Sequence, residues 1–86
     1  MKSDLIREAI CANVARLLKE ERNKRGLSLN AVAQASGLSR QMISFVETAE
    51  RRPTLDTLLR ITTVFEIDVE KLIEKARRDT LRTFGK

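Results

Sequence analysis

The stretch that decides the fold is residues 29–47, LNAVAQASGLSRQMISFVE. Its apolar residues recur at three- and four-residue spacing, the pattern of helices that bury one side. Gly37 interrupts this pattern, and Ser28 and Ser39 stand where helix N-caps are expected. These signals predict two short helices joined by a tight turn, within residues of about 28–48.

The second of these helices has two different faces. At 100° per residue, a wheel centred on Ile43 places Val46 and Glu47 on the inward side. On the outward face, Arg can pair with guanine, Gln with adenine and Ser with either, while an aromatic ring can lie against a thymine methyl group. That combination is typical of a helix that reads the DNA major groove. The face contains no acidic residue, and its members are Arg40, Gln41, Ser44, Phe45 and Thr48.

The rest of the chain predicts three further helices, so the predicted fold class is all-α. The first covers about residues 3–25 and ends at Gly26. The fourth opens at Pro53 and Thr54, is the most apolar, and is expected to be central. Asp68 is expected to cap the fifth. Leu81 and Phe84 lie beyond the apolar stripe that is needed to close the domain. They predict that the fifth helix is extended and that its end meets a partner.

Composition limits the classes of function that the chain can have. Its 86 residues make one domain (1–86), and a net charge of +5 favours a polyanionic partner, nucleic acid before membrane. One cysteine and no histidine leave no means to build an internal disulfide or a Cys/His zinc site, and no metal or cofactor is expected. Without a phosphate loop or a nucleophile with its base, no enzyme is expected either. The N-terminal residues fit neither a signal peptide nor a membrane span, which predicts a cytoplasmic protein that contacts no membrane.

Residues 29–47 resemble the helix-turn-helix of the lambda-repressor-like (Cro/repressor, XRE-type) DNA-binding proteins. The small residue of that motif falls on Ala33 and its turn glycine on Gly37. Its apolar positions fall on Val32, Leu38, Ile43 and Val46. Residues 51–73, RRPTLDTLLRITTVFEIDVEKLI, resemble the family's fourth and fifth helices, so the similarity covers about residues 10–73. The resemblance implies a compact five-helix DNA-binding domain with an extended C-terminal helix.

The resemblance also implies roles for individual residues. An arginine of the first helix often pairs with a glutamate of the third in this family, and here the matching residues are Arg22 and Glu47. Dimer contacts are expected at Leu81 and Phe84. The base-reading positions fall on Arg40, Gln41, Ser44 and Phe45, and the DNA-backbone positions on Ser28, Asn30, Thr48, Arg51, Arg52 and Thr54.

Two residues depart from the family pattern. Leu29 replaces the customary glutamine at the start of the second helix, so one phosphate contact is expected to be lost. Ala49 replaces the usual glycine after the third helix. Because a left-handed cap is costly without glycine, the helix is expected to run on into Glu50 or to end differently.

The sequence thus predicts a sequence-specific transcriptional regulator that binds double-stranded DNA, through an inverted-repeat operator, as a homodimer. Two alternatives stay open: a protein-interaction module whose helix-turn-helix surface binds a partner protein, and the DNA-binding antitoxin of a toxin-antitoxin pair. For Phe45 the alternatives to base contact are packing on a neighbouring subunit, or turning back onto Met42 and the following loop.

Overall fold

The structure, a computed structural model, describes residues 2–85, with side chains from Ser3 onward. These residues form five α-helices and no strand, which confirms the predicted all-α fold. The extension of the last helix is confirmed as well. No helix within residues 2–85 combines the length and the apolar character needed to cross a membrane. The helices are α1 (Lys2–Lys24), α2 (Leu29–Ser36), α3 (Arg40–Glu47), α4 (Leu55–Val64) and α5 (Val69–Phe84).

The hydrophobic core lies where the three short helices meet the middle of α1 and the start of α5. Leu18 of α1, Val32 of α2 and Phe65 after α4 are at most 1% exposed, as are Ile43 and Val46 of α3. Both core residues of α3 come from the inward side of the helical wheel. The core therefore fixes how α3 is rotated about its own axis.

The long helices α1 and α5 lie antiparallel. Lys24 at the end of α1 lines the same crevice as Asp68 at the start of α5, while Asn13 lies beside Thr80 further along. The Asn13 amide donates to the Thr80 hydroxyl at 2.8 Å, and Thr80 is 1% exposed. This hydrogen bond fixes the axial register of the two helices.

The prediction that α4 is central was wrong. Leu58 and Ile61 are buried, but Leu55 and Leu59 on the same helix are 68% and 41% exposed. Ile73 of α5 is also exposed. A ten-residue helix in a small domain covers the core from one side only, so its other face remains in solvent even when it carries leucine.

Side-chain caps begin the three short helices. The hydroxyl oxygens of Ser28, Ser39 and Thr54 accept hydrogen bonds from backbone N–H groups three residues later, at 3.0, 3.0 and 3.1 Å. Asp68 precedes α5 but makes no such bond, and its carboxylate lies 3.7 Å from Lys71 Nζ instead. The expected cap at Asp68 is therefore absent as a hydrogen bond, while the other three fix where the short helices start.

Four helix ends share one backbone turn. In each, a residue of positive φ follows the helix, and the next N–H donates to the carbonyl five residues earlier, the Schellman arrangement. The sites differ in residue type, since two of them carry side chains. The left-handed residues are Gly26 (φ 68°), Gly37 (φ 75°), Ala49 (φ 62°) and Glu66 (φ 54°). Helix α3 thus ends at Glu47 and does not run on into Glu50, because Ala49 adopts the conformation that the family assigns to glycine.

Candidate nucleic-acid interface

The candidate interface is built on α3, and an ion pair holds α3 against α1. Arg22 Nε lies 2.7 Å from Glu47 Oε2 and Arg22 Nη2 lies 3.0 Å from Glu47 Oε1. Arg22 Nη1 also donates to the Leu27 carbonyl at 2.9 Å. The two side chains are only 12% and 6% exposed. Hydrogen bonding to Glu47 raises the pKa of Arg22 above its ordinary value, so the guanidinium stays charged despite its burial.

The side of α3 opposite its core residues faces solvent. Arg40 and Gln41 are exposed, and Ser44 is half-buried at the flank of this face. Arg40 forms no ion pair with any carboxylate of the described residues. Because Glu47, the only acidic residue of α3, is turned inward, this face combines a free positive charge with hydrogen-bonding groups.

The helical wheel places Phe45 on the outward, exposed face of α3. In the structure Phe45 does lie on that face, but it is not fully exposed. Its ring is half-buried, and the guanidinium carbon of Arg51 lies 4.9 Å from the ring centroid. Contact with the following loop was one of the alternatives for this ring. A helical wheel could not predict Arg51 as the partner, because the stack depends on the path of the chain after α3.

The positions predicted to contact the DNA backbone lie at the start of α2, in the loop after α3 and at the start of α4. Ser28 and Asn30 are exposed, and the Ser28 oxygen accepts from Ala31 N–H, which leaves its own O–H free to donate. Thr54 is also exposed and caps α4, but its hydroxyl lies 3.1 Å from the Thr57 hydroxyl. Both caps therefore place a hydroxyl beside the N–H groups of a helix start, an arrangement that suits phosphate.

Thr48 and Arg52 each have a partner within the protein. The Thr48 hydroxyl lies 3.0 Å from both the Ser44 carbonyl and Glu50 Oε1, so its single O–H has acceptors within the protein. Arg52 Nη2 lies 3.8 Å from Glu8 Oε1, with both side chains more than half exposed. An exposed pair of this length is weak and leaves Arg52 able to bind elsewhere.

The remaining candidate residues lie away from α3. Leu81 and Phe84, near the end of α5, are 41% and 36% exposed. Cys11 is half-buried and unpaired. The side chains described in the structure include no group of three or more His, Cys, Asp or Glu residues placed to hold a metal ion. The absence of a cofactor stays a prediction.

Comparisons with known proteins agree with this architecture. A family model described as helix-turn-helix matches residues 18–72. The chain is 35% identical over 72 residues to the HTH-type transcriptional regulator SutR of Escherichia coli (strain K12), a match that covers 79% of this chain and 40% of that relative. The chain thus spans less than half the length of SutR.

A solved structure is similar as well. The restriction-modification controller protein C.AhdI from Aeromonas hydrophila superimposes with a TM-score of 0.67 at 30% identity, covering 73% of this chain and 94% of that one. The family model, the relative and the solved structure all point to a helix-turn-helix protein. The chain belongs to the lambda-repressor-like (Cro/repressor, XRE-type) helix-turn-helix family.

Proposed function

We propose that this protein regulates transcription by binding a specific duplex sequence with α3 in the major groove. The observation that carries the proposal is the outward face of α3, which presents Arg40 and Gln41, while Glu47, the acidic residue of this helix, is paired with Arg22. An arginine can bridge two acceptors of guanine, and a glutamine can pair with adenine. Ser44 extends the base-reading set towards the end of the helix, where Phe45, the fourth predicted member, lies under Arg51.

The proposed backbone contacts surround this face on both sides. Ser28 and Asn30 approach one phosphate stretch from the start of α2, and Arg51, Arg52 and Thr54 approach another from the start of α4. Thr48 joins the second group only if its hydroxyl leaves an internal acceptor. Such contacts position the protein on the duplex, while the side chains of α3 select the sequence.

Selection of bound sequences from a random duplex pool tests the base-reading face. Arg40→Ala or Gln41→Ala is expected to weaken binding to the selected sequence by about 1–3 kcal/mol and to change binding to random duplex little. Arg78→Ala is the matched control, because Arg78 is exposed on α5 and bound to Glu74 at 3.1 Å. Equal losses on selected and random DNA would contradict base reading.

The salt dependence of binding tests the backbone contacts. About five phosphate contacts predict a slope of roughly −4 to −5 for log affinity against log salt. Arg52→Ala is expected to reduce the slope by about one and to weaken selected and random duplexes alike. A flat salt response of the wild-type chain would rule out DNA binding, and an unchanged slope in the variant would remove Arg52 from the contact set.

A homodimer that binds an inverted repeat is part of the proposal. Leu81 and Phe84 give α5 an exposed apolar end, and a two-fold pair would place two α3 helices about 34 Å apart, one DNA turn. Sedimentation should show a dimer that Leu81→Lys dissociates. Leu55→Lys is the control, since Leu55 is also exposed but lies on α4. A monomer, or a dimer that survives Leu81→Lys, would place dimer formation elsewhere or exclude it.

A further inference from the structure

The end of the reading helix carries a stacked pair of side chains. The guanidinium carbon of Arg51 lies 4.9 Å from the centroid of the Phe45 ring, within the range of a cation–π contact. Phe45 is half-buried and Arg51 is exposed, so the ring lies beneath the guanidinium and the guanidinium faces solvent. One face of the Phe45 ring is therefore covered by Arg51.

The backbone after α3 brings these two side chains together. The Phe45 carbonyl accepts from Glu50 N–H at 3.0 Å and from Arg51 N–H at 3.2 Å. Both hydrogen bonds can reach this one carbonyl because Ala49 reverses the chain in its left-handed conformation. Residue 51 is therefore tied directly to residue 45, and the stack follows from the geometry of the turn.

No carboxylate competes with the ring for Arg51. Arg51 makes no ion pair among the described residues, and the carboxylate of its neighbour Glu50 is hydrogen-bonded to Thr48. A second arginine–phenylalanine contact provides a contrast: Arg25 lies 5.6 Å from the Phe65 centroid but also binds Glu21 at 3.2 Å. Arg51 is thus without an ion-pair partner among the described residues, and its guanidinium lies over the aromatic ring.

We propose that Phe45 is a positioning residue, which holds Arg51 ready to bind a DNA phosphate, and does not itself read a base. The inference rests on the proposed DNA-binding function and revises the role of one residue within it. The N–H donors of a guanidinium point outward in its own plane, so stacking one face on a ring leaves them free for phosphate oxygens. Restricting the side chain beforehand also lowers the entropy lost on binding.

A double-mutant cycle on random-sequence duplex at low salt tests this role. Phe45→Leu is expected to weaken binding about two- to fivefold when Arg51 is present, the size of an exposed cation–π contact. In the Arg51→Ala background, the same change should have no effect. Phe45→Tyr keeps the ring face and should bind as the wild type does. Thermal unfolding checks that each variant is folded, and Phe45→Met repeats the cycle if the leucine variant is not.

Nuclear magnetic resonance of the free protein supplies an independent measurement. The side-chain protons of Arg51 should be shifted upfield by the ring current in the wild type and should return to ordinary values in Phe45→Leu. Equal losses from Phe45→Leu in both backgrounds, or no ring-current shift in the wild type, would overturn the inference. So would a variant that binds random duplex normally but loses a thymine preference in selection. A wild-type chain that binds no duplex would instead overturn the proposed function, and this inference with it.

Discussion

The two ends of α3 use the same backbone turn but are stabilised differently. Before α3, Gly37 takes the left-handed conformation and Leu38 N–H donates to the Ala33 carbonyl at 3.1 Å. After α3, Ala49 takes that conformation and Glu50 N–H donates to the Phe45 carbonyl at 3.0 Å. Glycine adopts a positive φ freely, whereas alanine does so at a cost of about 1–2 kcal/mol. The first turn is favoured by local sequence, and the second must be held by its surroundings.

Those surroundings are the contacts immediately before and after Ala49. Glu47 is bound by Arg22 in a nearly buried pair, and Phe45 is covered by Arg51. A strained residue persists where neighbouring contacts over-determine its conformation. One end of α3 therefore depends on residue choice and the other on tertiary contacts.

Removing the ion pair should have the largest effect, because it anchors the strained end. Glu47→Ala is expected to lower the free energy of unfolding by about 3–5 kcal/mol, since it leaves the Arg22 guanidinium buried without its partner. Urea denaturation measures this change. Glu74→Ala is the control, because the Arg78–Glu74 pair is exposed and its loss should cost about 1 kcal/mol or less. Equal effects in the two variants would contradict the anchoring role of Glu47.

Giving the first turn the residue type of the second should make both ends strained. Gly37→Ala is expected to lower the free energy of unfolding by about 1–2 kcal/mol, because its φ is 75°. An added Cβ would also lie 3.2 Å from Arg60 Nη1, which donates to the Ser36 carbonyl. Gly26→Ala, with φ 68° and no atom within 4 Å of the added Cβ, should cost less in the same urea titration. An unchanged stability of Gly37→Ala would show that this turn does not depend on glycine.

The reverse exchange should have the smallest effect and the opposite sign. Ala49→Gly is expected to raise the free energy of unfolding by about 0.5–1 kcal/mol, the relieved strain less the added chain entropy. Ala35→Gly is a matched control: Ala35 is exposed within α2, where the same substitution should lower stability by about 0.5–1 kcal/mol. If Ala49→Gly also lowers stability, Ala49 is not strained in solution.

The sequence predicts well where local signals are sufficient. Gly37, the serine cap at Ser39 and the inward positions of Ile43 and Val46 each follow from the conformational or hydrophobic preference of the residue itself. These features determine the helix-turn-helix and the face of α3 that is exposed. The roles of the exposed residues towards DNA remain predictions.

The rest depended on contacts between residues distant in sequence or on turns without a sequence signal. Alanine gives no sign of a positive φ, so the conformation at the end of α3 cannot be predicted from Ala49. The contact between Arg51 and Phe45 depends on that conformation and cannot be predicted either. The exposure of Leu55 depends on how many layers cover α4, which its apolar composition does not reveal. Arg22 and Glu47 are 25 residues apart, and only resemblance to a family paired them.

The hydrogen bond from Asn13 to Thr80 bears on the geometry of the proposed dimer. A slide of α5 by one turn, about 5.4 Å, would take Thr80 away from Asn13. The Thr80 hydroxyl would keep its bond to the Ala76 carbonyl of its own helix, but the part-buried Asn13 amide would lose its acceptor. The hydrogen bond therefore favours one axial position of Leu81 and Phe84 relative to α1. A dimer joined through them would hold its two reading helices at one separation, so it would tolerate little change in the number of base pairs between two half-sites.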